Sequence, residues 1–98
     1  MPYSDKSTER LCRAIAAMNT PEEVGALFAD LCTIKEIRDM AQRLDTAALL
    51  NEKNSYQKIA AEVGVSTATI SRVNRCLTYG EGGYQLALER LAEKEKTE

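Results

Sequence analysis

Residues 64–77 read GVSTATISRVNRCL: a glycine, a run of small hydroxyl-bearing residues and two arginines on what the spacing predicts to be one short helix. At 100° per residue, Ile70, Val73 and Leu77 fall on one side of that helix, Ala68, Ser71, Arg72 and Arg75 on the other, and Thr67 and Thr69 at the margins. Just upstream, Ser55 is placed to cap a helix containing Ile59, Ala60 and Val63, which Gly64 stops, and Ser66 to cap the helix that follows. A helix-turn-helix needs a small residue where its two helices cross, a turn residue that tolerates positive φ, and apolar positions that lock a wide angle. With Gly64 in the turn, Ala60 lies four positions earlier, and Val65, Ile70 and Val73 fall one, six and nine positions later. Every constrained position therefore holds a suitable residue type.

The outward face adds to this pattern. A merely solvated face would carry Glu and Lys, whereas this one is short-chained near its N-terminus and cationic toward its C-terminus. Short side chains let a helix backbone approach base edges, hydroxyls bond bases or phosphates, and a helix N-terminus favours phosphate. Charge is distributed accordingly. The chain carries a net −2, yet residues 53–75 hold Lys53, Lys58, Arg72 and Arg75 against Glu62 alone. Residues 1–52 carry six basic and nine acidic side chains, and residues 76–98 carry three and five. The local positive patch is what a phosphate-binding surface requires.

Further along the chain in both directions, helix signals recur. An opening helix from about Asp5 places Leu11, Ile15 and Met18 on one stripe. In NTPEEV, Thr20 is an N-cap with Pro21 at the first helical position and Glu23 completing a capping box. That short helix holds Val24, Leu27, Phe28 and Leu31. TIKE repeats the pattern with Thr33 and Glu36 and opens the longest helix, with Ile37, Met40, Leu44, Ala47, Ala48 and Leu50 inward and an end near NEKN. YGEGGY, with three glycines in four residues, cannot continue a helix. A last helix from about Tyr84 to Glu93 is expected to bury Leu88 and Leu91, with EKEKTE frayed. No alternating strand pattern and no internal repeat is present, so six helices in one domain over residues 1–98 are expected.

Ninety-eight residues suffice for one core but leave a large fraction of surface uncovered, which makes a second copy of the chain a natural partner. Cys12, Cys32 and Cys76 are odd in number, widely spaced and unaccompanied by histidine, which argues against a disulfide framework and a zinc site. Cys32 and Cys76 are read as small core residues, with a redox switch as the minor alternative. No secretion signal or membrane-spanning run is expected, and a cytoplasmic location follows. With no histidine, no phosphate loop after a strand and no nucleophile paired to a base, an enzyme is not expected, nor any catalytic residue, cofactor or metal.

The run SYQKIAAEVGVSTATISRVNRCL, preceded by a long helix and LCT, resembles the Trp repressor superfamily, most closely its TrpR-related YerC/YecD branch, whose core reads STATISRV.RCL.YG.GGY. The resemblance covers roughly residues 20–93. It implies an all-α, six-helix bacterial DNA-binding regulator acting as an intertwined homodimer. Its helix-turn-helix lies at about 55–77 and its dimerisation helices at about 5–51 and 84–95, with two helix-turn-helix units one DNA turn apart. Carried over by position, the DNA-facing residues are Gln57, Thr67, Ala68, Thr69 and Ser71; Lys58, Ser66, Arg72 and Arg75 complete the expected interface with double-stranded DNA.

One departure stands out. In the Trp repressor itself an arginine on the recognition helix stacks on the indole of bound tryptophan, and a glycine after it leaves room for the ring. Here Arg72 is followed by Val73, and the second pocket arginine is replaced by Gln42, although Arg43 is adjacent. The branched side chain should fill the space, so tryptophan is not expected to bind. Arg72 is then a phosphate contact, or an intradimer partner of Asp45 or Glu52. Three alternatives stay in view. A helix-turn-helix scaffold can serve as a protein-interaction module without DNA binding, and an effector other than tryptophan stays open. A transposase-type or initiator-type unit ordinarily sits in a longer chain, whereas this chain is expected to be complete.

Overall fold

In the computed structural model, residues 5–97 are described, with side chains through Lys96, and they form six α-helices and no strand. They are α1 (Lys6–Ala16), α2 (Pro21–Leu31), α3 (Ile34–Asn51), α4 (Tyr56–Val63), α5 (Thr67–Tyr79) and α6 (Gly83–Thr97). Two compact units result, one up to Arg38 and one from Asp39, with α3 running through both.

Local chemistry sets the helix starts. The Asp5 carboxylate accepts the Thr8 amide at 2.8 Å and the Thr8 hydroxyl at 3.0 Å, and these bonds hold its pKa below the ordinary value. Thr20 Oγ1 accepts the Glu23 amide at 3.1 Å, with Pro21 in the first turn. The reciprocal arm of that box reaches one residue further back than expected: Glu23 Oε1 accepts from the Asn19 amide at 2.7 Å. At the start of α3 the box closes in the standard way, Glu36 N donating to Thr33 Oγ1 at 3.1 Å and Thr33 N to Glu36 Oε1 at 2.8 Å.

In the first unit neither α1 nor α2 contains a buried residue. Leu11 and Leu31 are exposed, and Ile34 at the start of α3 is 72% exposed. The buried residues among those described all lie in the second unit: Thr46 and Ala47 on α3, Ile59 on α4, and Ile70 and Val73 on α5. Thr46 satisfies its hydroxyl by donating to the Gln42 carbonyl at 2.8 Å, so its burial leaves no unpaired polar atom.

The end of α3 is a Schellman motif. The Asn54 amide donates to the Leu49 carbonyl at 3.1 Å and the Lys53 amide to that of Leu50 at 3.0 Å, with Lys53 at φ 66°. Asn54 Nδ2 adds a third bond to the Leu49 carbonyl at 2.9 Å.

Three expectations need correction. Helix α6 begins at Gly83 and continues to Thr97 instead of fraying from Glu93. The Ala, Glu and Lys of this segment are good helix formers, and Lys94 and Lys96 in the last turn favour the dipole's negative end. Leu91 is 49% exposed, because it lines a cleft between α3 and α6 that the chain itself leaves open. Cys76 is exposed and Cys32 half-buried; Cys76 sits about a quarter-turn from the buried line of α5.

Candidate nucleic-acid interface

Helix α4 packs on α5, and α5 on α6. The α4–α5 turn is built as its spacing demands. Gly64 adopts φ 82° and ψ 33°, donating its amide to the Ala60 carbonyl at 3.0 Å. Both helices are capped by serine: Ser55 Oγ accepts from the Lys58 amide and Ser66 Oγ from the Thr69 amide, each at 3.2 Å. Ile59, Ile70 and Val73 are buried, and Val63, Val65 and Leu77 are half-buried. Gln42 Nε2 reaches from α3 to the Val63 carbonyl at 3.4 Å, occupying an acceptor that the end of α4 would otherwise leave open.

The opposite face of α5 is open. Thr67, Ala68, Ser71, Arg72 and Arg75 are all exposed, as are Gln57 and Lys58 at the start of α4 and the cap residue Ser66. Thr69 is half-buried, and its Oγ1 accepts a hydrogen bond from Ser66 Oγ at 3.2 Å. Lys58 lies 3.9 Å from Glu62 one turn on, a surface pair of small energetic weight. Arg72 and Arg75 form no ion pair or hydrogen bond among the described residues. Every expected residue except the half-buried Thr69 is therefore exposed, on α4, on α5 or at the cap before α5.

Tyr79 is an exposed aromatic on the same helix. It is 84% exposed and continues the stripe of Ala68, Arg72 and Arg75 at three- and four-residue spacing. The same periodicity that selects the arginines also reaches it.

Residues 6–92 match the sequence profile of the family described as Trp repressor protein. The chain belongs to the Trp repressor protein family. It is 50% identical over 90 residues to YerC, an uncharacterized protein of Bacillus subtilis strain 168, covering 92% of this chain and 86% of that one. A crystal structure of a TrpR-like protein from Eubacterium eligens superposes with a TM-score of 0.87 at 44% identity, over 91% of this chain and 92% of that one. A candidate Trp repressor from Staphylococcus aureus superposes with a TM-score of 0.85 at 39% identity, over 90% and 88%. The all-α Trp-repressor-like fold and the kinship with the TrpR-related YerC branch follow. At family level this fold carries a helix-turn-helix DNA-binding regulator and is not an enzyme fold. No described helix is long and apolar enough to cross a membrane.

Proposed function

We propose that this Trp repressor family member is a sequence-specific transcriptional regulator, acting as a repressor in the cytoplasm. Residues 1–98 serve as one DNA-binding domain, and a homodimer sets α5 of each copy into successive major grooves. The observation that carries the reading is the pair of exposed arginines, Arg72 and Arg75, which have no ion-pair partner among the described residues, on the outer face of a helix whose inner face is locked by Ile70 and Val73. Gln57, Lys58, Ser66, Thr67, Ala68, Thr69 and Ser71 complete the surface, the hydroxyls and cations serving phosphates and base edges. Dimerisation is supported by α1 and α2, which bury no residue within the chain although each carries an apolar stripe. The burial of the branched Val73 directly after Arg72 argues against tryptophan as the effector.

Fluorescence anisotropy with random-sequence duplex DNA at about 50 mM salt, on protein whose mass is set by light scattering, tests the reading. A dimer that binds DNA, with affinity falling steeply as salt rises, is expected. A dimer that binds no duplex would overturn it in favour of a protein-interaction module.

A further inference from the structure

Resting on that DNA-binding reading, we propose that α5 selects its site through the 5-methyl groups of thymine, so that the specific ligand is a duplex presenting thymines to the first turns of the helix. From Thr67 to Ser71, α5 holds no Asn, Gln, Lys or Arg. The two-pronged contacts that identify guanine or adenine in the major groove need one of those side chains. The exposed groups of this segment are the Ala68 methyl, the methyl and hydroxyl of Thr67, and the Ser71 hydroxyl. Hydroxyls accept from and donate to every base, so they discriminate little. Apolar contact with the thymine methyl is the base-specific interaction open to alanine and to the methyl of threonine.

Two details strengthen this assignment. The Ser66 hydroxyl donates to Thr69 Oγ1 while accepting the Thr69 amide, which engages both of these side chains and leaves Thr67 and Ala68 as the exposed side chains of the first turn. The long donor Arg72 lies one turn beyond Ala68 on the same stripe, roughly 6 Å along the axis. It is thus set back from the helix tip, and no exposed side chain in the first turn of α5 is longer than threonine.

The experiment removes only the methyl. Duplexes selected from a random pool by the wild-type protein are re-amplified with dUTP in place of dTTP, and affinities for the two forms are compared. Each buried methyl should contribute about fourfold, so one contact in each half-site gives roughly fifteenfold weaker binding to the uracil form. Ala68→Gly should narrow that ratio. Ala68→Ser, which keeps good helix-start chemistry, should narrow it as well, and the ratio is insensitive to any change in fold stability. Equal affinity of the wild type for the thymine and uracil forms of a selected site overturns the thymine assignment while leaving DNA binding intact. Failure to bind any duplex overturns the underlying reading instead.

Discussion

The side-chain amide of Gln42 on α3 donates to the main-chain carbonyl of Val63, the last residue of α4, at 3.4 Å. The bond is long, but it fastens the long helix to the turn from which the recognition helix is hung. The position where the family's tryptophan pocket is expected to carry an arginine is therefore committed to holding the helix-turn-helix. On the far side, Val73 is 1% exposed and belongs to the core. Val73 is thus committed to the core, and Gln42 brings no charge where the resemblance implies an arginine.

L-tryptophan is accordingly expected to give no heat on titration and to leave DNA affinity unchanged. A micromolar dissociation constant by calorimetry would contradict this. Val73→Ala should not confer binding; it should destabilise the protein by about 2 kcal/mol in urea unfolding, the cost of two buried methyl groups and the void they leave.

Among the described residues Arg72 and Arg75 have no ion-pair partner, and this has a consequence in salt titrations. Arg72→Ala and Arg75→Ala should each lower the slope of log affinity against log salt by about one unit, as expected for loss of one phosphate contact. An unchanged slope for Arg72→Ala, with weakened dimerisation, would reassign that residue to an intradimer carboxylate such as Asp45 or Glu52. Glu62→Gln should tighten DNA binding at low salt, because Glu62 is the sole acid of residues 53–75 and lies 3.9 Å from Lys58.

Much of this arrangement was legible in the sequence because it rests on local rules. Five helix starts are dictated by a capping side chain three residues before the amide it satisfies, at Asp5, Thr20, Thr33, Ser55 and Ser66. Gly64 is required by a left-handed turn, and the buried faces of α4 and α5 follow from period 3.6. What escaped depends on surroundings beyond the helix itself. Periodicity says which side of a helix is apolar but not how far along it a neighbour extends, so Leu91 and Cys76 were expected inside and are not. Lys53 at positive φ carries no sequence signal, since the motif that imposes it is made by the main chain.

Glycines 64 and 80 look alike in the sequence yet should respond differently to substitution. At Gly64 φ is 82° and a Cβ would meet nothing within 4 Å, so the obstacle is torsional alone. Gly64→Ala should cost about 1 kcal/mol and Gly64→Asn less, because asparagine tolerates the left-handed region. At Gly80 φ is an ordinary −83°, but a Cβ would collide with the Cys76 carbonyl that its amide binds. Gly80→Asn should therefore be no better than Gly80→Ala, and both should lower the urea midpoint more than Gly64→Asn. A ranking in which asparagine rescues both positions equally would show that the Cys76 carbonyl yields. By the same torsional argument, Lys53→Gly should raise stability by about 0.5–1 kcal/mol at fixed protein concentration.

The apolar residues left open on α2, α3 and α6 provide the test of assembly. In a monomer, replacing a surface side chain such as Ile34, 72% exposed, by lysine changes stability by no more than about 0.5 kcal/mol. If a second copy covers Ile34, the same substitution places an unpaired ammonium in an apolar contact and opposes association. Ile34→Lys and Leu91→Lys are each expected to raise the dimer dissociation constant at least tenfold, and to weaken DNA binding in proportion as the second helix-turn-helix is lost. Sedimentation equilibrium over a concentration series separates this from local unfolding, since the helical content of the monomeric second unit should persist around its own core of Ala47, Ile59, Ile70 and Val73. Unchanged dimerisation in both variants would place the contact surface elsewhere on the chain.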